Sequence, residues 1–463
     1  MADVKRVLVR GGQVYDHDGD VHRPKVADVL IKGSDIAAVG ANLSSDGVHE
    51  VIDARNRLVV PGLINAHYHS HDTLCRGMFE EMPLEVWLLY TLPMGANRSK
   101  EELRARTLVG AVESLRCGIT TVQDMLGLIP LDEASTDVVV NAYREAGIRV
   151  VFSPMVWDIP PVAMVRHNDS LPSDVQEMLG TQGRQVSDQI DYLEHQFRRH
   201  PASGTLHWAV APFAPQRCTP KMMQGCAELA HKHDLPIYTH VYETRGQALI
   251  AREQFASHDG SLISYLDHNG LLGPRLNIVH SVWISRREMD RMAAADAGIV
   301  LNHLSNMKLK SGIAPVCDLR EAGVRLGLGC DNCSGSDVQN VFQAMKLFCL
   351  FCAVSEPEPG PALAHEVIRH ATLGNARTAG LADRLGAIKP GYKADMVLID
   401  LHDTAYLPYN SAARQLVYTE SGRGVETVII DGRSMSEIAE RSRSMRMPCS
   451  ERLDSAPSGP NTM

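Results

Sequence analysis

Leu58-Val59-Val60-Pro61-Gly62-Leu63-Ile64-Asn65-Ala66-His67-Tyr68-His69 decides how the chain is read. An apolar run passes through Pro-Gly, resumes, and ends on two imidazoles spaced by one residue. Side chains of a strand alternate between faces, so His67 and His69 share a face and can grip one ion together. His71 repeats the spacing, but the run from Pro61 puts His67 at the strand exit, which favours the first pair.

Three more pieces share this form. Pro236-Ile237-Tyr238-Thr239 ends on His240, with Glu243 three residues on; Leu276-Asn277-Ile278-Val279 ends on His280; Arg325-Leu326-Gly327-Leu328-Gly329 leads through Cys330 to Asp331. Imidazole and carboxylate suit a borderline metal such as zinc, with one position left for water. Singly, each residue has a structural explanation: a hydrogen-bonded core His, or an Asp capping the next helix. Four strand ends carrying suitable residues in order are harder to explain that way. A buried carboxylate at Asp331 also needs a strong partner, and a cation is one.

Other strand-like runs are Gly118–Asp124, Ile148–Phe152, Leu206–Val210 and Gly298–Asn302, separated by helical stretches such as 100–116, 186–199 and 221–233. With the strand before His67 the count is eight. Eight alternating units predict an α/β fold, a closed (β/α)8 TIM barrel over residues 61–385, with catalytic residues at the carboxyl ends of its strands. Short strands return at 394–400 and 425–432, matching those within the first sixty residues. Each set is too small to bury a core alone, so residues 1–60 and 386–435 are expected to pack together as a small β-sandwich. Residues 436–463 form a polar tail whose Ser/Pro/Gly-rich end is expected to be disordered.

The 463 residues are 44% hydrophobic and 22% charged, ordinary for a globular protein, with a formal charge of −9. That balance argues against a nucleic-acid or membrane partner. No run approaches the roughly 18 apolar residues of a spanning helix, and the N-terminus lacks a secretory apolar region. Ten cysteines without framework spacing suit reduced thiols in the cytoplasm. Cys349 and Cys352 continue an apolar helical pattern and are expected in the core. Cys330 and Cys333 flank Asp331 without the further soft ligands a thiolate zinc site requires.

These residues, with Leu74-Cys75-Arg76-Gly77, Pro83-Leu84-Glu85-Val86-Trp87-Leu88, His280-Ser281-Val282-Trp283, Leu304–Gly312, Thr372–Ala376 and Gly391–Asp395, resemble the amidohydrolase superfamily over nearly the whole chain. Within it, the likeness is to the cytosine deaminase and chlorohydrolase-like group of metal-dependent hydrolases. The resemblance implies one divalent metal ion per subunit, zinc first and Fe2+ second, held by His67, His69, His240 and Asp331. It also implies a metal-activated water attacking an sp2 carbon. Asp331 would take a proton, Glu243 would shuttle one to ring nitrogen or leaving group, and His280 would orient the water or polarise the substrate. No Lys ends Val150-Val151-Phe152 or Trp208-Ala209-Val210, which argues against the carboxylated-lysine, two-metal branch.

A retained shuttle carboxyl favours deamination of an aminated nitrogen heterocycle (pterin, purine, pyrimidine or s-triazine type) in a homo-oligomer, dimer or larger. The alternative is hydrolysis of an exocyclic amide, urea, alkylamine or halide substituent, as in s-triazine or phenylurea hydrolases. A non-catalytic scaffold is the remote third reading, and it would have lost ligands that are present here. Two segments depart from the family pattern: Asp331–Asp337 lacks the expected small-residue loop, and Pro212–Arg217 lacks a His often found in nucleoside-processing relatives. Trp87, Phe213, Gln216 and Asn332 are therefore the candidate substrate contacts, and a nucleoside substrate is disfavoured.

Overall fold

The computed structural model describes residues 4–94, 98–160, 170, 172–174, 185–355 and 363–435. The tail 436–463, expected to end in disorder, lies outside the described residues. Five strands precede the barrel: β1 (Arg6–Val14), β2 (Val26–Lys32), β3 (Asp35–Gly40), β4 (Glu50–Asp53) and β5 (Arg57–Pro61). The barrel strands are β6 (Leu63–His69), β7 (Ile119–Leu126), β8 (Arg149–Val156), β9 (Leu206–Trp208), β10 (Ala211–Pro212), β11 (Ile237–Val241), β12 (Leu276–His280), β13 (Gly298–Leu301), β14 (Arg325–Leu328) and β15 (Asp331–Asn332). After them come β16 (Met396–Asp400), β17 (Val425–Ile430) and β18 (Arg433–Ser434).

The barrel has the eight positions read from the sequence, with β9 and β10 sharing one and β14 and β15 another. β6, β7, β8 and β9 pair in parallel, as do β11 through β14. Val210 and Tyr238 join the two halves: the Tyr238 N–H donates to the Val210 carbonyl at 2.9 Å. On the other side β15 pairs with β6, Asp331 opposite Tyr68 and Asn332 opposite His69, closing the ring. β6, β7 and β8 are buried along their whole length, as expected of strands with side chains on both the lumen and the helix side. The helix Glu133–Ala146 shows why the outer layer forms. Thr136, Val139, Val140 and Tyr143 recur at helical spacing and are buried, and the Asp132 side chain accepts the Ser135 N–H at its start. Cys349 and Cys352 are buried in the helix Val341–Ser355, where core packing was expected.

The strands of both termini join as expected, but in one continuous hydrogen-bonded sheet of eight strands rather than in two separately bonded layers. β5 is the junction. It runs parallel to β1 and antiparallel to β16, with Pro61 opposite Met396 and Arg57 opposite Asp400. Val9, Val29, Ile31, Val59, Met396 and Ile429 share one apolar cluster, so neither end buries its core without the other. Gly62 then turns the chain into the barrel. A Cβ there would stand 2.2 Å from the Thr120 hydroxyl oxygen, so only glycine lets β5 and β6 meet β7 this closely.

One buried ion pair ties the sheet to the barrel. Arg149, at the start of β8, donates from Nε and Nη2 to the two Asp395 carboxylate oxygens, each at 3.0 Å. Both side chains are almost wholly buried. Asp395 also accepts the Asp431 N–H at 2.8 Å. Without Asp395 the buried Arg149 keeps only the partly exposed Asp431 carboxylate, 3.5 Å away, as its counter-charge. Asp395→Leu should therefore lower unfolding stability by about 3–5 kcal/mol, read from urea denaturation. Arg149→Met combined with Asp395→Leu should recover most of that loss.

Candidate active site

The carboxyl ends of β6, β11 and β12, and the start of β15 just past the end of β14, deliver their residues to one buried point. His67 Nε2 lies 3.6 Å and His69 Nε2 3.3 Å from Asp331 Oδ1. His240 Nε2 is 3.3 Å from His69 Nε2. His280 Nε2 stands 3.6 Å from Glu243 Oε2 and 4.0 Å from Asp331 Oδ2. Ligand atoms of three overlapping trios each fall within 4.8 Å of one another: His67, His240 and His280; His67, His69 and Asp331; Glu243, His280 and Asp331. The four expected ligands are thus brought together through shared members rather than as one preformed set.

Three of the four imidazoles are held from behind. His69 Nδ1 meets the Met125 carbonyl, His240 Nδ1 donates to the Phe213 carbonyl at 2.7 Å, and His280 Nδ1 donates to Asn306 Oδ1 at 2.8 Å. Each bond leaves Nε2 as the lone pair facing inward, the usual tautomer control of metal-binding histidines. His67 differs: both its ring nitrogens are buried without a hydrogen-bond partner. Buried polar atoms are rarely left so, and a cation at Nε2 would satisfy it. The donor set of imidazoles and one carboxylate therefore fits a divalent metal. Backbone strain accumulates at the same place. Tyr242, His280, Ser281 and Asp331 have φ of 54°, 75°, 53° and 62°, left-handed values that non-glycine residues adopt rarely.

The surrounding second layer is dense. Asp72 accepts the Cys333 and Ser334 N–H groups at 2.8 and 2.9 Å and the Ser334 hydroxyl at 2.6 Å, fixing the turn after Asp331. Asp124 accepts the Ser70 N–H and hydroxyl and the Tyr143 hydroxyl, fixing the turn after His69. At Gly329 a Cβ would stand 2.8 Å from the His67 Cβ, so the last and first strands approach this closely only without a side chain there.

Electrostatics separates the two carboxyls. Burial, reinforced by Asp331 and Glu85, pushes the Glu243 carboxyl well above the usual carboxylate range. Burial also opposes ionisation of Asp331, but His67, His280 and His69 around it outweigh burial and hold it well below that range. Burial and the neighbouring His69 bring His67 down to about 4. Burial likewise lowers His240, with His67 and His69 adding to the effect, and lowers His280. Near neutral pH the unliganded site thus holds His67, His240 and His280 neutral, Asp331 ionised and Glu243 protonatable. Two titratable groups driven apart in this way are the mark of an acid and a base with separate tasks.

A cleft opens over these groups, with about 880 Å³ of empty space when the solvent at its mouth is counted. Of the four candidate substrate contacts, Trp87, Phe213 and Asn332 line it. Trp87 is held by its indole N–H on Ser334 Oγ at 3.0 Å, and Asn332 accepts the Gly335 N–H at 2.7 Å. Gln216 does not line the cleft. It lies in the short turn Pro215–Arg217, buried, its amide without a hydrogen-bond partner. The next residue, Arg217, lines the cleft instead, with its guanidinium 4.8 Å over the Phe213 ring and 5.5 Å over that of Trp157. Arg217, Trp157, Met155 and the positioning Asn306 were not singled out from the sequence. Asn306 stands in the segment Leu304–Gly312, which was noted without a role for this residue.

Comparison with known proteins agrees with this geometry. The model of the amidohydrolase family matches residues 58–435. A 5'-deoxyadenosine deaminase of Methanothermobacter thermautotrophicus is 32% identical over 432 residues, 93% of each chain. A 5-methylthioadenosine/S-adenosylhomocysteine deaminase of Thermococcus kodakarensis is 32% identical over 429 residues, 92% of this chain and 93% of that one. Among solved structures, an adenosine deaminase from Xanthomonas campestris with bound zinc superposes with a TM-score of 0.77 at 26% identity, covering 95% of this chain and 98% of that one. Relatives named for nucleosides weigh against the expectation drawn from Pro212–Arg217 that such substrates are disfavoured. With its barrel, its clustered imidazoles and carboxylates and a family match over most of its length, the chain belongs to the amidohydrolase family.

Proposed function

We propose that this protein is a metal-dependent aminohydrolase that replaces the amino group of a nitrogen heterocycle with oxygen and releases ammonia. The observation that carries the reading is the buried pair of carboxyls: Glu243 held protonatable and Asp331 held ionised, 3.6 and 4.0 Å from the same His280 nitrogen. Deamination needs a proton at the ring nitrogen and another at the departing amine, and a base for the attacking water. The relatives named for deaminases support the same class. Adenosine-type purines are the first substrates to try, since all three of the relatives described above carry adenosine names. Displacement of halide would depend far less on a carboxyl such as Glu243.

His67, His69, His240 and Asp331 would hold the ion, with zinc preferred over Fe2+ because zinc is bound in the related adenosine deaminase. Bound there, a divalent ion supplies the positive charge that lets a water lose its proton near neutral pH. Asp331 accepts that proton. His280, its Nδ1–H committed to Asn306, offers a lone pair at Nε2 that orients the attacking oxygen. Glu243 gives its proton to the ring nitrogen, then takes the proton of the new hydroxyl to the leaving amine, which departs as ammonia while the carbonyl forms; the proton held by Asp331 returns to Glu243. The rings of Trp87 and Phe213 line the cleft with apolar surface beside these transfers.

We also read the protein as a cytoplasmic homo-oligomer. Among the described residues the cysteines are free thiols, which suits a reducing compartment, and no helix is long and apolar enough to cross a membrane. Leu74, Met78, Val86 and Tyr90 expose large apolar side chains that a second copy could cover.

His240→Ala or Asp331→Ala should abolish turnover and lower the metal content of the purified protein, read by elemental analysis. Glu243→Gln should keep the metal and lose roughly a hundredfold or more in kcat, the scale of general acid–base catalysis; full activity in that variant would remove the shuttle role. Stripping the metal with a chelator should stop ammonia release from adenosine-type substrates, and added Zn2+ should restore it. Release of an alkyl- or arylamine instead of ammonia would favour the exocyclic C–N alternative.

A further inference from the structure

His71 lies outside the ion-binding trios yet lines the cleft, its ring 5.1 Å from that of His69. Strand β6 ends at His69, and His71 stands in the following 3-10 turn, Ser70–Cys75, so it does not continue the alternation that pairs His67 with His69. The Gly127 N–H donates to His71 Nδ1 at 3.4 Å. The ring must then carry its hydrogen on Nε2, and no described residue accepts it. The backbone around it is clamped residue by residue. Ser70 is bound to Asp124, the His71 carbonyl accepts from both Arg98 and Arg106, and Asp72 holds Cys333 and Ser334. Such a clamp holds the backbone that carries the imidazole, and the Gly127 N–H is the contact that orients the ring.

The rest of the lining points the same way. Beyond Glu243 and Asp331 at the reaction centre the cleft holds no carboxylate among the described residues; its polar groups there are His71, Thr91, Arg217, Gln247 and Asn332. A cavity with one fixed imidazole donor and a guanidinium, and no further anion, suits a ligand whose edge presents acceptors and carries no cation.

We propose that His71 is a substrate-recognising residue, its Nε2–H donating to a carbonyl oxygen or ring nitrogen on the edge of the heterocycle away from the departing amine. The chemical class of ligand rests on the aminohydrolase reading; the donor role rests on the geometry. A site built to donate to a buried acceptor rejects the analogue that lacks it, because the donor is then left unpaired.

The test deletes the two halves of the contact separately. Adenosine, 3-deazaadenosine and 7-deazaadenosine each present a different set of ring acceptors. Their dissociation constants would be measured by calorimetry on zinc-loaded Glu243→Gln protein, whose turnover is slowed, with each ligand assayed for unreacted amine after the titration, alone and combined with His71→Phe or His71→Gln. 3-Deazaadenosine, which lacks the ring nitrogen on the edge away from the amine, should bind about tenfold more weakly than adenosine, and 7-deazaadenosine, altered beside the amine, should bind about as well as adenosine. His71→Phe should abolish that difference, and His71→Gln, which keeps an N–H donor, should partly restore it, with one zinc per chain throughout. Equal binding of all three ligands before His71 is changed, an undiminished difference in His71→Phe, or no binding of any of them would overturn the assignment. Loss of zinc in His71→Phe would overturn it too, by making His71 a ligand. Failure of the unmodified enzyme to release ammonia, with the binding pattern intact, would sink the aminohydrolase reading and leave the role of His71 standing.

Discussion

Ring closure between β15 and β6 sets Asp331 against His67 and His69, and every other feature of the site depends on it. The closing contact is tight because Gly329 has no side chain to hold His67 away. It is held by Asn65, whose Oδ1 accepts the Cys330 N–H at 2.9 Å, and by Asn375, which exchanges hydrogen bonds with both the N–H and the carbonyl of Leu328. Were the last strand displaced by one residue along the first, Asp331 would face the helices instead of the lumen. Packing at the bottom of the barrel and chemistry at its top are thus two consequences of one register.

Burial makes that arrangement costly. Imidazoles and carboxylates are taken out of water, and four left-handed backbone conformations are held at Tyr242, His280, Ser281 and Asp331. The surroundings offset the cost with fixed partners: carbonyls behind His69 and His240, an amide behind His280, and carboxylates bracing the turns after His69 and Asp331. Among the ligand atoms of the site, His67 Nε2 is left buried without a hydrogen-bond partner. A cation would satisfy that nitrogen, and the full set of potential ligands separates the structure from that of a scaffold which has lost them.

The barrel and the clustered residues were legible because they follow simple periods. Period two places His67 and His69 together, and apolar runs ending on His240, His280 and Asp331 mark strand exits. Legibility fails where the period ends. His71 repeats the spacing of its neighbours but stands in a turn, and Gln216 sits in another, where side-chain direction follows no rule of alternation; the cleft takes Arg217 instead. Asn306 is 26 residues from His280, and that proximity comes from the packing of β12 beside β13. The terminal strands were read correctly as partners, but strand patterns do not say whether partners share one hydrogen-bonded sheet or stack as two.

The stitch between β5 and β16 has a bearing on how the molecule is made. On a ribosome the N-terminal strands emerge first and then wait while the whole barrel is translated, roughly tens of seconds at about 5–20 residues per second. Through that interval β5 offers an unpaired edge and half an apolar core to the crowded cell. The nascent chain is therefore most open to chaperones, proteases and wrong partners at its beginning, and a release of the polypeptide before Met396 would leave a barrel with a sticky, unfinished flank.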